Sequence, residues 1–445
     1  MKRKTYKPLL PLFYSAVTSF PFTEFDFDAM TNYEMLQAIT HKINELVHGV
    51  NAINGDLSDY VSDKIDELYE NGTLAEIINE TLFERYNNFY IPEDFDGVGD
   101  GTTDCTAAFD AACKAMRDGD IKILFIPAGK TYLIKNTIAL PAGSMLIGAG
   151  PSSVIYYDET NAGFGVGITT GGDNVIISNL KINHKTNTHP IPHTGAMTGA
   201  LSVSCINCVG EVLPGVSYER IDRKNIVVDR IWTDYGRYCI QTENYVSGSD
   251  ATKLENVFVS NIFAPGSMVS IAPKMGAMKN VHYKNIVCHM LRSGAYSNSD
   301  YYGENITIED FYCKYIQARG KLAVFNNGVV DATGDTYHDR TYAINLESGN
   351  IFNNVRVIGE SGNVASCIYA NGTDDNFRFN NCDFSGFTRF WLNGVTDDTP
   401  APAFFNACNV TQTGESGATI QGAAVMGIFD ITTPTGFEKI AVTGE

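Results

Sequence analysis

The sequence lacks any long apolar run. No stretch of the 445 residues approaches 18 consecutive apolar side chains, so we expect no transmembrane helix. The start, MKRKTYKPLLPLFYSAVTSF, has a basic head, but Pro8, Pro11 and several polar residues interrupt it. It also lacks a clear small-x-small cleavage site, which makes it a poor secretory signal.

Positive charge is scarce as well. The chain has 32 lysines and arginines against 51 aspartates and glutamates, a formal net charge of −19. Binding of naked nucleic acid needs a basic surface, and so does attachment to an anionic membrane. We therefore expect neither partner, whereas a neutral one such as a glycan is compatible with this charge.

Paired cysteine motifs are nearly absent. Most of the ten cysteines stand singly in apolar segments, which favours buried reduced thiols over a disulfide scaffold. Cys205 and Cys208 form one Cys-x-x-Cys without the second pair of a zinc site. His184, His189 and His193 could bind a metal, but two prolines and the absence of helical spacing favour a surface loop. We expect no metal or cofactor.

The stretch DFDGVGDGTTDCTAAFDAACKAM, residues 94–116, looks at first like a phosphate-binding loop. However, the third glycine comes one place early for a dinucleotide fingerprint, no hydrophobic strand precedes it, and the Walker lysine is missing. A calcium loop built on Asp96, Asp100 and Asp104 would lack its glutamate at the twelfth position. The glycines are therefore predicted to serve a turn.

A short helix is predicted after this turn. Asp104 or Thr103 is a plausible N-cap. The apolar positions that follow are spaced 3, 1, 3, 1 and 3 residues apart, one face of a helix of about three turns: Cys105, Ala108, Phe109, Ala112, Cys113 and Met116.

From residue 90 onward, an asparagine-led pattern of alternating apolar residues repeats. Copies begin at Asn174, Asn225, Asn256, Asn280, Asn305, Asn354 and Asn376, which are 51, 31, 24, 25, 49 and 22 residues apart. The two long gaps look as if one copy in each had diverged. A strand-rich unit of this length suits one turn of a parallel β-helix, with the leading asparagine in left-handed backbone at a corner and its amide bonded to neighbours in the stack.

The first 88 residues differ in character. Residues 1–30 are predicted to form an extended arm, and residues 31–88 a helical segment. Ile39, Ile43, Leu46, Val50, Ile53 and Leu57 are spaced 4, 3, 4, 3 and 4 apart, a heptad seam that favours self-association into more than two strands. An amphipathic hairpin on a globular domain is the alternative.

Residues 94–134, DFDGVGDGTTDCTAAFDAACKAM followed by IKILFIPAGKTYLI, resemble the N-terminal signature of the pectate-lyase-like β-helix superfamily, found in many phage tail spikes and in polygalacturonase-type enzymes. FDFDAMTNYEMLQAITHKINELV and ENGTLAEIINETLF resemble the attachment segment of tail or baseplate proteins from phages of Gram-positive bacteria. The resemblance implies a right-handed parallel β-helix over 89–410, capped by the short helix, and a strand-rich C-terminal cap over 411–445.

It further implies a virion protein, a homotrimer that attaches to phage tail or baseplate proteins by its N-terminal segment. Its β-helix would recognise a polysaccharide of the host cell surface. Two alternatives stay open: the same spike as a depolymerase, either a glycoside hydrolase or a polysaccharide lyase, and a purely structural virion component.

The segment VVDRIWTDYGRYCIQTENY is the best candidate for chemistry. Hydrolysis of a glycan usually needs two carboxylates about 5 to 9.5 Å apart, one of them kept protonated. The candidate catalytic residues are Asp229, Asp234 and Glu243, and the candidate glycan-binding residues are Trp232, Tyr235 and Tyr238. A solvated strand face with packed aromatics is the alternative.

Two other acidic clusters are weaker candidates. Glu309 and Asp310 are adjacent, so on a strand they would point to opposite faces. The segment DATGDTYHDR, residues 331–340, is predicted to be a loop that could reach a substrate or a neighbouring subunit.

Overall fold

The computed structural model describes residues 89–158, 166–184, 199–204, 221–244, 246–247, 250–273, 275–294, 302–318, 321–334, 342–346, 349–359, 366–370, 377–387, 389–393, 403–411 and 420–421. The predicted arm and the predicted helical segment over 31–88 lie outside these residues, as does nearly all of the predicted C-terminal cap. No helix in the described part of the chain is long and apolar enough to cross a membrane.

Within these residues the elements are a 3-10 turn (Pro92–Phe95), one helix, α1 (Thr106–Asp118), and strands. In chain order the strands are β1 (Phe89–Tyr90), β2 (Asp100–Asp104), β3 (Ile123–Ile126), β4 (Thr131–Ile134), β5 (Ile138–Leu140), β6 (Met145–Tyr157), β7 (Val166–Thr170), β8 (Ile176–His184), β9 (Gly199–Ser204), β10 (Arg223–Trp232), β11 (Tyr235–Glu243), β12 (Val246–Ser247), β13 (Asp250–Ala251), β14 (Leu254–Ala272), β15 (Met278–Ser293), β16 (Tyr302–Cys313), β17 (Tyr315–Ala318), β18 (Lys321–Asn326), β19 (Val329–Asp331), β20 (Tyr342–Leu346), β21 (Ile351–Asn353), β22 (Arg356–Ile358), β23 (Ser366–Ala370), β24 (Phe377–Asn380), β25 (Asp383–Ser385), β26 (Arg389–Asn393), β27 (Ala403–Asn406), β28 (Asn409–Thr411) and β29 (Ile420–Gln421).

Parallel pairing between successive coils makes the described part of the chain a β-solenoid, as predicted. All the strands except β12 and β13 join one continuous parallel sheet, and β12 and β13 form an antiparallel hairpin. On β10 the inward side chains of Ile226, Val228 and Ile231 are fully buried. Their neighbours Val227 and Trp232 are partly exposed. This alternation divides each coil into a core side and an outer side.

Each coil bends at two asparagine-rich corners. The first corner holds Asn174, Asn225, Asn256, Asn280 and Asn305, all with φ between 53° and 60°. Each side-chain amide after Asn174 donates to the side-chain oxygen of the preceding member, at 2.9 to 3.1 Å. The predicted role of these asparagines, left-handed backbone plus an amide ladder, is therefore confirmed.

Within the described residues, the second corner can be followed further along the stack than the first. Its members also have positive φ: Asn179, Arg230, Asn261, Asn285, Asp310, Asn327, Asn354, Asn381 and Ala407. Asn354 and Asn381 donate to the preceding asparagine at 3.1 and 2.7 Å. The repeat that begins at Asn354 therefore belongs to this corner and not to the first. The sequence pattern did not distinguish the two corners, because the local sequence around them is alike.

The two long repeat gaps have different origins. Val228 pairs directly with Ile177, so Asn174 and Asn225 lie on neighbouring coils and no copy has diverged between them. In the second gap Phe325 lies between Ile308 and Phe352, so one intermediate coil is present, as expected.

Face A is the outer side of the solenoid between the two corners, formed on β10 by residues 226–229. Face B follows the second corner, residues 231–234, and face C is formed by β11 and the strands paired with it.

The core between these faces changes along the stack. Phe325, Phe352, Phe379 and Phe405 succeed one another at ring-centroid distances of 4.7 to 4.9 Å, nearly parallel and buried.

Helix α1 is present where it was predicted. Phe109, Ala112 and Met116 are fully buried in the main core. The N-cap position falls on Cys105, one residue later than expected, although the Asp104 carboxylate still accepts from the Thr106 amide at 3.0 Å. Its role as the cap of the stack stays a prediction, because residues 1–88 lie outside the described part.

The chain turns at Asp96 and Gly97, as predicted, and Gly101 lies in β2. A Cβ on Gly97 would lie 2.7 Å from the Pro92 carbonyl oxygen, and Gly101 has φ of 74°. The Asp100 carboxylate accepts from the Thr102 and Thr103 amides at 2.7 Å. These hydrogen bonds lower the pKa of Asp100, so its charge is used within this segment.

Candidate functional site

The six candidate site residues lie around one coil, on different faces. Asp229 ends face A, Trp232 and Asp234 lie on face B, and Tyr235 begins β11 at the next bend. Glu243 is the last residue of β11, at the far end of face C. The structure therefore brings Trp232, Asp234 and Tyr235 together, but it does not place Glu243 beside them.

Asp229 is held by the second corner. Its Oδ1 accepts from Ser260 Oγ and from Asn261 Nδ2, both at 2.7 Å, and its Oδ2 pairs with Arg230 Nε at 2.8 Å. The side chain is only 17 % exposed. Asp229 thus fills the place that an asparagine takes elsewhere in the stack, and its acceptor capacity is engaged.

Asp234 lies in a small polar group on face B. Its Oδ2 is 2.6 Å from Lys181 Nζ and 2.9 Å from Asn183 Nδ2, while its backbone amide donates to Asn183 Oδ1 at 2.8 Å. Burial raises the pKa of Asp234, but the hydrogen bonds from Lys181 and Asn183 outweigh it and hold the pKa below its ordinary value. The side chain remains 43 % exposed and carries a negative charge.

The aromatic candidates differ in exposure. Tyr235 is 42 % exposed and Trp232 is half-buried. Tyr238 is only 5 % exposed, packs in a cluster with Met268, Met290 and Tyr315, and its hydroxyl accepts from Arg292 at 3.1 Å. Tyr238 therefore does not present a ring face to solvent, which leaves Trp232 and Tyr235 as the accessible members.

A second polar group lies further along face B, at the start of the loop predicted over residues 331–340. Asp331 accepts from Tyr312 Oη at 2.5 Å and from Thr333 Oγ1 at 2.5 Å, and Lys314 Nζ lies at 3.3 Å. Burial raises the pKa of Asp331, but these hydrogen bonds outweigh it and lower the pKa to about 2. The rest of the predicted loop, residues 335–340, lies outside the described residues.

Asp234 and Asp331 are too far apart to act on one glycosidic bond. Their coils are four steps apart through β14, β15, β16 and β19. At about 4.8 Å a step that is roughly 19 Å. The described carboxylates with shifted pKa values, Asp100, Asp234 and Asp331, are all shifted downward, opposite to what a general acid needs.

The adjacent pair Glu309 and Asp310 is also part of the second corner. Asp310 has φ of 54°, so the strand alternation that would send the two carboxylates to opposite faces is broken between them. Glu309 Oε1 accepts from Asn326 at 3.4 Å, and Asp310 lies 3.7 Å from Lys284 Nζ.

The candidate metal ligands and the cysteine thiols do not form a reactive site among the described residues. Within them no group of three or more histidine, cysteine or acidic side chains is arranged to hold a metal. His184 is buried, and the other two histidines of the proposed cluster lie outside that part, as do Cys205 and Cys208. The eight described cysteines are free and buried, as expected for core fillers.

Sequence reasoning missed three exposed aromatic side chains. Phe258 lies on face A, and Phe263 and Tyr312 lie on face B; they are 47 %, 48 % and 39 % exposed. The signal was present near the repeats, because Phe258 takes an outward position in an asparagine-led copy, while Phe263 and Tyr312 each directly follow such a copy.

Among proteins of known function, the chain is similar to the pre-neck appendage proteins of Bacillus phages phi29 and PZA. It is 26% identical to each over 179 residues, which cover 36% of this chain and 20% of each relative. The chain thus spans about one fifth of the length of the curated relatives it matches. The resemblance to phage appendage proteins expected from the sequence is confirmed by these relatives. No protein-family model matches the chain.

Among solved structures, the A-module of a mannuronan C-5 epimerase from Azotobacter vinelandii aligns with a TM-score of 0.47 at 14% identity, covering 76% of this chain and 96% of that one. The Dettilon tailspike protein aligns with a TM-score of 0.43 at 13% identity, covering 77% of this chain and 69% of that one.

Proposed function

We propose that the chain is a tail-appendage protein of a phage virion that recognises host cell-surface polysaccharide with its β-helix. The observation that carries this proposal is the similarity to the pre-neck appendage proteins, together with the solenoid itself. Attachment to phage tail or baseplate proteins would fall to the N-terminal segment, whose sequence resembles such attachment segments. The heptad seam in that segment supports a homotrimer.

The accessible candidate for glycan contact is the patch formed by Lys181, Trp232, Asp234 and Tyr235. An aromatic face offers apolar area to a sugar ring, and the Asp234 carboxylate beside it can accept hydrogen bonds from hydroxyl groups. The net charge of −19 favours a neutral glycan over an anionic one.

Binding should be measured with the full chain and purified wall polysaccharide of the host. We expect saturable binding that Tyr235→Ala weakens at least about tenfold, the change that a lost contact of about 1.4 kcal/mol produces. Val98→Ala is the matched control, because Val98 is also exposed and lies far from this patch in the sequence. No binding to any host glycan would contradict the proposal.

The depolymerase alternative is not favoured. Asp229 is engaged at the corner, the pKa of Asp234 is lowered, and Glu243 lies on another face. Incubation of the protein with the same polysaccharide should produce neither new reducing ends nor absorbance from an unsaturated sugar. Either product would establish an enzyme instead.

The purely structural alternative predicts that the protein never touches the host. If antibodies against the β-helix block phage adsorption while the virions stay intact, that alternative is eliminated.

A further inference from the structure

Exposed aromatic rings lie on both outer faces that meet at the second corner. On the single strand β14, Phe258 lies on face A and Phe263 on face B, on either side of the corner residue Asn261. Both rings are close to half exposed, although phenylalanine has no polar group to offer to water. Such a pair within one coil is unfavourable in an isolated chain, so these faces are expected to be covered.

Both rings belong to mostly apolar rows that run along the stack, in which the polar pair His282 and Thr307 is hydrogen-bonded at 2.7 Å. The pairing of successive coils gives the row on face A as Ile176, Val227, Phe258, His282, Thr307, Val324 and Ile351. The row on face B is Trp232, Phe263, Val287, Tyr312 and Val329. Phe258 is also held in place, because its ring stacks on His282 at a centroid distance of 5.4 Å.

We propose that these two rows are the contact between copies of this chain in a homotrimer. The second corner of each copy faces the threefold axis, and face A of one copy packs against face B of the next. This inference rests on the homotrimer of the proposed function and identifies the surface that forms it.

Symmetry explains why two different faces are needed. In a closed ring of three, each copy must offer two distinct patches that complement each other, whereas a twofold dimer uses one patch against itself. In a closed ring of three the copies are related by rotation about one axis, so they are parallel and equal coils lie at equal height. Phe258 of one copy then faces Phe263 of its neighbour, since both side chains belong to β14.

The charges at the second corner permit this approach despite the net charge of the chain. Arg230 pairs with Asp229 at 2.8 Å, and Lys284 with Asp310 at 3.7 Å. Most other residues at this corner are asparagines, so the edge that would line the threefold axis carries few charges, and three like edges can meet there without a single-sign field.

A second copy fits these rows better than a glycan does. Sugar-binding surfaces combine aromatic faces with hydrogen-bonding groups, and Phe258 and Phe263 offer no hydroxyl or indole nitrogen. Trp232 belongs to the proposed glycan patch, so the contact on face B begins with Phe263 one coil further on, and the patch of Lys181, Trp232, Asp234 and Tyr235 borders the groove between two copies.

Cysteine cross-linking of the full-length protein tests the contact directly. Phe258→Cys and Phe263→Cys are made singly and together, and the proteins are oxidised and run on a denaturing gel without reductant. The double variant should give a species of three times the chain mass of 48.7 kDa. Each single variant should stay at one chain mass, because face A meets face B and not itself. The wild type is the control, since its described cysteines are buried.

Several results would overturn the inference. Disulfide dimers of either single variant would show like faces in contact, and a double variant that remains at one chain mass would show that the rows do not meet. A folded wild-type protein that has the mass of one chain in light scattering would also overturn the inference. Failure of glycan binding in a cross-linked trimer would remove the proposed glycan recognition but leave this contact in place.

Discussion

Asparagine dominates the two corners because it solves two problems at once. It tolerates left-handed backbone better than most residues, and its side chain is both donor and acceptor, so one residue type can repeat along a stack. At the first corner the amides of Asn225, Asn256, Asn280 and Asn305 each donate to the preceding coil. Asp229 and Asp310 occupy related places at the second corner.

Substitution of Asn256 separates the two contributions. Asn256→Ala loses both ladder hydrogen bonds and must hold φ of 56°, so we expect a loss of about 2 to 3 kcal/mol in the free energy of unfolding. Asn256→Gly is the matched variant, because glycine adopts that φ freely, and it should cost about 1 kcal/mol less. Urea denaturation measures both. Equal stability of the two variants would contradict a conformational role for the corner.

Asp331 gives a pH prediction. Its pKa falls from 3.8 to about 2 on folding, so its contribution to stability is present above about pH 4 and is lost as the pH falls through about 2. Asp331→Asn should therefore be less stable than the wild type at neutral pH, and the difference should shrink steadily between about pH 4 and about pH 2. Thermal unfolding across that range measures it.

The matched control for this experiment is Asp118→Asn, at the exposed end of α1, where the carboxylate pairs with the adjacent Arg117. It should show a smaller effect at every pH. A stability difference for Asp331→Asn that stays constant or grows on acidification would show that the carboxylate is not stabilised by Tyr312, Thr333 and Lys314.

At the residue scale, the sequence identified candidate residues but not the contacts that each of them makes. The sequence pattern grouped Trp232, Asp234 and Tyr238 as candidates for one site. It could not show that Tyr238 is buried with Met268 and Met290. Nor could it show that Asp229 bonds to Ser260 and Asn261, which are 31 and 32 residues away. Such partners depend on which coils become neighbours.

At the scale of elements, the stack of phenylalanines shows how each strand stabilises its neighbours. The rings of Phe325, Phe352, Phe379 and Phe405 are buried and nearly parallel, with interplanar angles of 7° to 11°. A strand of three to six residues buries little by itself, so its stability depends on the coils above and below.

Removal of one ring should therefore be costly. Phe352→Ala leaves a cavity between two rings and is expected to destabilise the protein by about 3 to 5 kcal/mol. Phe352→Leu, which keeps most of the volume, should cost clearly less, and Val98→Ala at the surface should stay within about 0.5 kcal/mol. Chemical denaturation monitored by circular dichroism measures all three. A loss for Phe352→Ala no larger than that for Val98→Ala would contradict the stacked core.

The order of elements was predictable only where coils are short. The pattern of asparagine and alternating apolar residues identified the strands, and the apolar face of α1 identified the helix. The 51-residue interval after Asn174 misled the repeat count, because spacing alone cannot distinguish one coil from two. Asn354 was assigned to the wrong corner for a related reason, since both corners use the same residue type in the same local pattern.

At the scale of the whole molecule, a solenoid offers long outer faces and few pockets, which suits recognition of an extended partner better than catalysis on a small one. The acidic charge, the accessible aromatic residues near Asp234 and the similarity to pre-neck appendage proteins agree with such a role. The proposed trimer would bring three copies of each face together and multiply weak contacts with a repetitive polysaccharide.

The central claim is that this protein mediates attachment of a phage to its host, and competition for adsorption tests it most directly. Host cells are incubated with increasing amounts of the purified full-length protein before the phage that encodes it is added, and unadsorbed phage is counted. We predict that adsorption falls in a dose-dependent manner and that Tyr235→Ala competes at least about tenfold less well than the wild type. Unchanged adsorption at saturating, folded protein would contradict the claim.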